Sequence, residues 1–171
     1  MEDKRYNIGE RVMYGTNGIC VIEDIQRMTF PMETEEKSYY VLNPLSIRNS
    51  KLFVPEDNEM LMSKVRRLLT KEEIDTAISE ADGDGEAWIE ERNPRFAYFN
   101  SVLKSGDPKK LLSVIKCVYR RKNEIAVTGK KLSNADENVL LSAEKLVREE
   151  FACSLGISEE KVADYILSKG K

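Results

Sequence analysis

Apolar positions alternate with polar ones from Arg11 to about Val54, and after Leu69 the period lengthens to that of a helix. In the first half, "RVMYGTNGICVIEDI" reads as a strand, a tight turn at Asn17-Gly18 and a second strand, because Asn-Gly supplies the positive φ angles such a hairpin needs. "SYYVLNPL" is rich in aromatic and β-branched residues, and "KLFVP" alternates until Pro55 stops it. Between them, "TFPMETEEK" is polar and predicts a hairpin loop, while "MLMSKVRRLL" fits either a last strand or a helix. Short strands with close turn signals predict a small SH3- or Tudor-like β domain over residues 1–68. Tyr39, Tyr40 and Phe53 could form a surface aromatic cluster, but alternation favours sheet core on one face, with Tyr39 or Tyr40 outward. The strands at the margins of such a sheet are open to pairing with a partner's strand, and Arg48 and Lys51 lie close by as flanking contacts.

The second half, residues 70–171, predicts a bundle of about five helices, making the chain α+β. Thr70 and Glu73 form a capping box ahead of "EEIDTAI". A helix is expected from about Trp88 to Lys104, kinked by Pro94 or shortened to begin at Pro94 with Asn93 as its cap. In "SGDP", Gly106 terminates one helix, Asp107 caps the next and Pro108 occupies its first turn. That helix runs to about Asn123. Ser133 with Asp136 opens another that Gly156 closes, and Ser158 caps a last short one, "EEKVADYILSK".

Charge changes the picture locally. The 171 residues carry a net charge of −3, yet residues 104–131 hold nine basic and two acidic groups, and residues 71–103 hold three basic and nine acidic. In "PKKLLSVIKCVYRRK", Lys109, Lys116 and Arg120 fall on one narrow stripe, with Leu111, Ile115, Val118 and Tyr119 opposite. Arg121, Lys130 and Lys131 flank the stripe. A line of cations on one helix face is suited to tracking phosphates, although solvated charge runs are also common surfaces.

Trp88 is the only tryptophan, and its neighbours Glu86, Glu90 and Glu91 are poor company for a core. It follows a Gly-rich loop, from which a side chain is readily presented outward; the alternative is a partly buried residue that staples the helix start to the bundle. The loop "DGDGE", Asp82 to Glu86, is a fragment of a calcium-binding pattern, but Asn93 stands where a bidentate acid is needed, so a turn is the simpler reading.

The remaining composition mostly excludes. There is no histidine, which removes Ser–His and Cys–His nucleophile pairs and the commonest metal ligand. The three cysteines show neither zinc nor disulfide spacing, as expected in a reducing cytoplasm. No apolar run approaches the roughly 20 residues of a membrane span, and the N-terminus lacks the apolar core of a secretory signal. The expectation is a cytoplasmic, monomeric, non-enzymatic protein with no cofactor and no metal.

The stretches "NIGERVMYGTNGICVIEDI", "LFVP", "AWIE", "LKSGD", "YRRK" and "GKKLSNADENVLLSAEKLVREEFA", in that order, resemble the CarD/CdnL family of bacterial transcription regulators. The first half also resembles the polymerase-interacting module of transcription-repair coupling factors, without that enzyme's helicase motifs. The resemblance implies a Tudor-like domain that docks on the β subunit of RNA polymerase, with Arg48, Lys51 and Phe53 as candidate contacts. It also implies a helical domain that contacts promoter DNA at the upstream edge of the transcription bubble. Trp88 matches the family's minor-groove wedge, Arg92 and Arg95 match basic residues that follow it, and Lys109, Lys116, Arg120 and Arg121 match a generally basic region. A two-domain adaptor that binds only proteins is the alternative function.

Overall fold

The computed structural model describes residues 5–81 and 87–169. The chain divides into two compact units, Met1–Leu68 and Leu69–Lys171.

The first unit is a five-stranded antiparallel sheet. Its strands are β1 (Arg11–Tyr14), β2 (Ile19–Met28), β3 (Lys37–Pro44), β4 (Leu52–Pro55) and β5 (Val65–Arg67), in the spatial order β4-β3-β2-β1-β5. β4 and β5 therefore lie at its two margins. β2 and β3 pair from Cys20↔Pro44 to Met28↔Lys37, with a register shift between Ile22 and Asp24 that bends the long strand. The β1–β2 connection differs from the expected two-residue turn. A short 3-10 turn spans Gly15–Asn17, and the positive φ angles fall on Gly15 and Gly18 rather than on Asn17. The ambiguous segment is both things at once, a one-turn helix α1 (Glu59–Met62) followed by β5. Asn58 caps α1 by accepting from the Leu61 N–H at 3.1 Å.

Val12, Cys20, Ile22, Tyr40, Leu42, Val54 and Met62 form the core on one face of this sheet. Tyr39, next to Tyr40, must face the other side. It is nevertheless buried, so neither tyrosine is outward. Phe30, from the polar β2–β3 loop, packs edge-on over Tyr39 at 5.1 Å and covers it.

Among its described residues the second unit holds five helices: α2 (Lys71–Glu80), α3 (Arg92–Ser105), α4 (Pro108–Ala126), α5 (Asn134–Leu155) and α6 (Val162–Lys169), the last preceded by a 3-10 turn at Glu159–Lys161. The Thr70–Glu73 capping box is present, Asp107 accepts from the Lys109 and Lys110 N–H groups, and Gly106 and Gly156 close α3 and α5 in the left-handed conformation. Ile74, Phe99, Val114, Val118, Leu140 and Phe151 are among its fully buried side chains. The carboxylate of Glu150, itself buried, accepts from the Leu69 N–H at 3.1 Å and so ties the entry to α2 onto α5.

α3 begins at Arg92, between the two expected starts, Trp88 and Pro94. Glu91 is its N-cap and Pro94 lies in the first turn, where a missing N–H breaks no helical bond, so there is no kink. Trp88 stands outside the helix, in the extended stretch that leads into it.

Candidate nucleic-acid interface

Side chains on a helix tilt toward its N-terminus, so a long residue in the first turns of α3 reaches back to the segment before it. Arg95 does this. One terminal nitrogen of its guanidinium, Nη1, donates to the carbonyls of Ile89 and Glu90 at 3.0 and 3.1 Å. The Nε and Nη2 atoms donate to the two carboxylate oxygens of Asp136 at 3.0 and 3.2 Å, a bidentate pair between side chains only 9% and 4% exposed. Asp136 is in turn held by Ser133, the N-cap of α5, whose hydroxyl donates to it at 2.8 Å and accepts from its N–H at 3.2 Å.

The same guanidinium lies 4.6 Å from the centre of the Trp88 ring. That of Arg121, from α4, lies 5.5 Å from it, and Phe99 meets the indole edge-on at 6.1 Å. Trp88 is therefore half-buried, resting on the edge of the core between two cations. Sequence reasoning weighed a partly buried Trp88 that staples the helix start to the bundle against an indole presented outward, and expected Arg95 to hold DNA backbone. The structure corrects the placing of Arg95. Arg95 is buried and committed to Asp136, since a charge leaves water only when paired, and it supports Trp88 from below. Nothing local signals Asp136 as its partner, because the two are 41 positions apart.

The other candidate cations separate into two groups. Arg92 is exposed, 5.2 Å from the Phe96 ring centre. Arg120, Lys130 and Lys131 are exposed as well. Lys109 is exposed but pairs with Glu80 at 3.2 Å. Arg121 is partly buried and lies 3.9 and 3.8 Å from Glu90 and Glu124. Lys116 is half-buried and donates to the carbonyl of Ala81 at 2.7 Å. The expected stripe of Lys109, Lys116 and Arg120 is thus not one uniform solvent face. The opposite stripe also shifts, because Leu111, Leu112, Val114, Cys117 and Val118 are buried while Tyr119 is 44% exposed. The Tyr119 hydroxyl is hydrogen-bonded to Glu144, and that bond first, then burial of the phenol, raises its pKa.

On the first unit, Phe53 is 40% exposed on the marginal strand β4 and packs edge-on against Phe30, itself 38% exposed, at 6.0 Å. Tyr39 lies beneath Phe30 and its hydroxyl donates to Glu33 at 2.8 Å. That bond is the main reason the Glu33 carboxyl is held below its usual range. Arg48 is exposed in the β3–β4 turn beside Asn49, whose φ is +56°. Lys51 is exposed and lies 3.7 Å from Glu23. Leu45 and Ile47, in the same turn as Arg48, are exposed apolar residues too, each at 51%. Sequence reasoning missed them and Phe30. The signal available was that "PLSI" places apolar residues after Pro44 ends β3, where no strand can bury them.

Among the described residues no cluster of Cys, Asp and Glu is arranged to hold a metal ion, and no helix is long and apolar enough to cross a membrane. The "DGDGE" loop, residues 82–86, lies outside the described residues.

Comparison with known proteins now bears on these two surfaces. The family model of the CarD-like/TRCF RID domain matches residues 6–66, and that of the CarD C-terminal domain matches residues 81–167. No curated protein matches the chain. The first match covers nearly all of the sheet with its aromatic margin, and the second covers Trp88, α3 to α5 and most of α6, but not α2. The chain therefore belongs to the CarD family, whose members are in general transcription factors that interact with RNA polymerase.

Proposed function

We propose that this protein docks on the β subunit of RNA polymerase through its first unit and contacts promoter DNA at the upstream edge of the bubble through its second. It thereby modulates the stability of the open complex and catalyses no reaction. The observation that carries the reading is Trp88, the single tryptophan, held half-exposed ahead of α3 by two guanidiniums on a unit whose residues 104–131 carry nine basic and two acidic groups. An indole inserted between base steps unstacks them at a cost of a few kcal/mol, which is least where the duplex is already opening. Such a wedge binds the open complex better than the closed one, and only a differential affinity shifts a population. Arg92, Arg120, Lys130 and Lys131 supply phosphate contacts without base readout.

The marginal strand β4, with Phe53 and Phe30 beside it and Arg48 and Lys51 at its approach, suits pairing with a strand of the polymerase. Docking makes the DNA contact intramolecular, so a net acidic protein with one modest basic face need not find promoters unaided. A protein-only adaptor is the second reading. It is favoured by the pairing of Lys109 with Glu80 and of Lys122 with Glu137, which withdraws cations from DNA.

The test is Trp88→Ala in a promoter-complex lifetime assay with matched polymerase binding. Loss of the effect on open-complex lifetime with docking retained is expected. A wild-type lifetime with Trp88→Ala would overturn the wedge, and DNA affinity insensitive to salt would favour the adaptor.

A further inference from the structure

We infer that Arg95 and Asp136 are positioning residues, a buried clamp whose task is to hold the Trp88 indole at the angle in which it meets DNA. The inference rests on the reading of Trp88 as the wedge. It adds residues that touch no DNA and that local sequence does not single out.

The geometry makes four connections through one side chain. Arg95 binds Asp136 with two nitrogens, spends a third on the carbonyls of Ile89 and Glu90, and lays its plane 4.6 Å from the Trp88 ring centre. Those two carbonyls belong to the residues directly after Trp88 and before α3, so they have no helical or strand partner to fix their direction. Their bonds to Arg95 set the backbone from which the indole projects. Asp136 is anchored to the rigid start of α5 through Ser133. The tryptophan is therefore referenced to α5 through Arg95 of α3.

A stability role alone does not account for this arrangement. Buried ion pairs contribute little net stability compared with a well-packed apolar pair, because the desolvation of both charges offsets their attraction. An apolar pair would fill the same space but could not bond the two carbonyls. Lysine would keep the charge but has no planar fork to serve the carboxylate, the carbonyls and the ring together.

Trp88 is the only tryptophan, so its fluorescence reports this one site. The experiment compares wild-type protein with Arg95→Lys, with the double variant Arg95→Met/Asp136→Leu, and with Trp88→Ala. Melting temperature, acrylamide quenching of the indole and open-complex lifetime are measured for each. Both Arg95 variants should remain folded, with the double variant covering the case in which a single change leaves a buried charge unpaired. Their emission should shift to the red, quenching should rise toward that of the urea-unfolded chain, and the lifetime effect should fall toward that of Trp88→Ala.

Wild-type quenching and a wild-type lifetime in a folded double variant would overturn the inference and leave Phe99 as the support of the indole. The parent reading fails separately, when Trp88→Ala itself retains the lifetime effect. The quenching measurement, which involves no DNA, still decides whether the clamp holds the indole.

Discussion

The ammonium of Lys116 donates to the main-chain carbonyl of Ala81 at 2.7 Å, across 35 positions of sequence. Ala81 is the C-cap of α2, where unpaired carbonyls leave a partial negative charge. A lysine from α4 thus ties down the end of α2, and a residue expected on the phosphate-tracking face contributes instead to the packing of the bundle.

Lys116→Ala should therefore lower the stability of the helical unit by about 1–2 kcal/mol, the scale of a charged hydrogen bond at a helix end. Lys130→Ala and Lys131→Ala should leave stability within about 0.5 kcal/mol, as exposed substitutions do. For those two, the salt dependence of DNA binding should flatten by about one unit for each lost phosphate contact. Thermal melts and anisotropy titrations at several salt concentrations separate the effects. A stable Lys116→Ala protein with a flattened slope would return Lys116 to the DNA face.

Phe53→Ala should weaken polymerase binding about tenfold or more, as expected for one aromatic interface anchor. The fold should survive, because Phe53 is half-exposed while its neighbour Val54 carries the core contact on the other face. Val54→Ala should instead lower the melting temperature of the first unit through the cavity it leaves. Binding of polymerase to immobilised variants, alongside circular dichroism, checks both, and unchanged affinity for Phe53→Ala would remove β4 from the docking surface.

Cys20 is fully buried in the sheet core, and burial pushes its thiol pKa from 9.0 up to about 11. The folded state binds the thiol proton more tightly than the unfolded state. The corresponding stability is present below pH 9 and is lost as pH rises toward 11. The urea midpoint of the wild-type protein should fall more steeply over that interval than that of Cys20→Ala. At neutral pH, iodoacetamide should label half-buried Cys153 well before Cys20 or Cys117, and rapid labelling of Cys20 in the folded protein would contradict its burial.

The division into strands and helices was legible in the sequence, because it depends on interactions within a few residues. The change of period after Leu69, the Thr70–Glu73 box, Asp107 with Pro108, and the glycines after α3 and α5 are local signals, and the structure keeps all of them. The basic character of residues 104–131 and the singular Trp88 are likewise compositional facts. What each cation does was not legible. Arg92 and Arg95 look alike in sequence, yet one is exposed and the other is buried against Asp136. Lys109 and Lys116 share a helix face by periodicity, yet the first makes an exposed ion pair with Glu80 while the second, half-buried, donates to the Ala81 carbonyl that ends α2. Tyr39 is covered by Phe30 from a loop that reads as polar. In each case the deciding contact comes from outside the strand or helix that carries the residue. A charged group's role follows from whether water or a specific partner solvates it, and tertiary packing alone settles that.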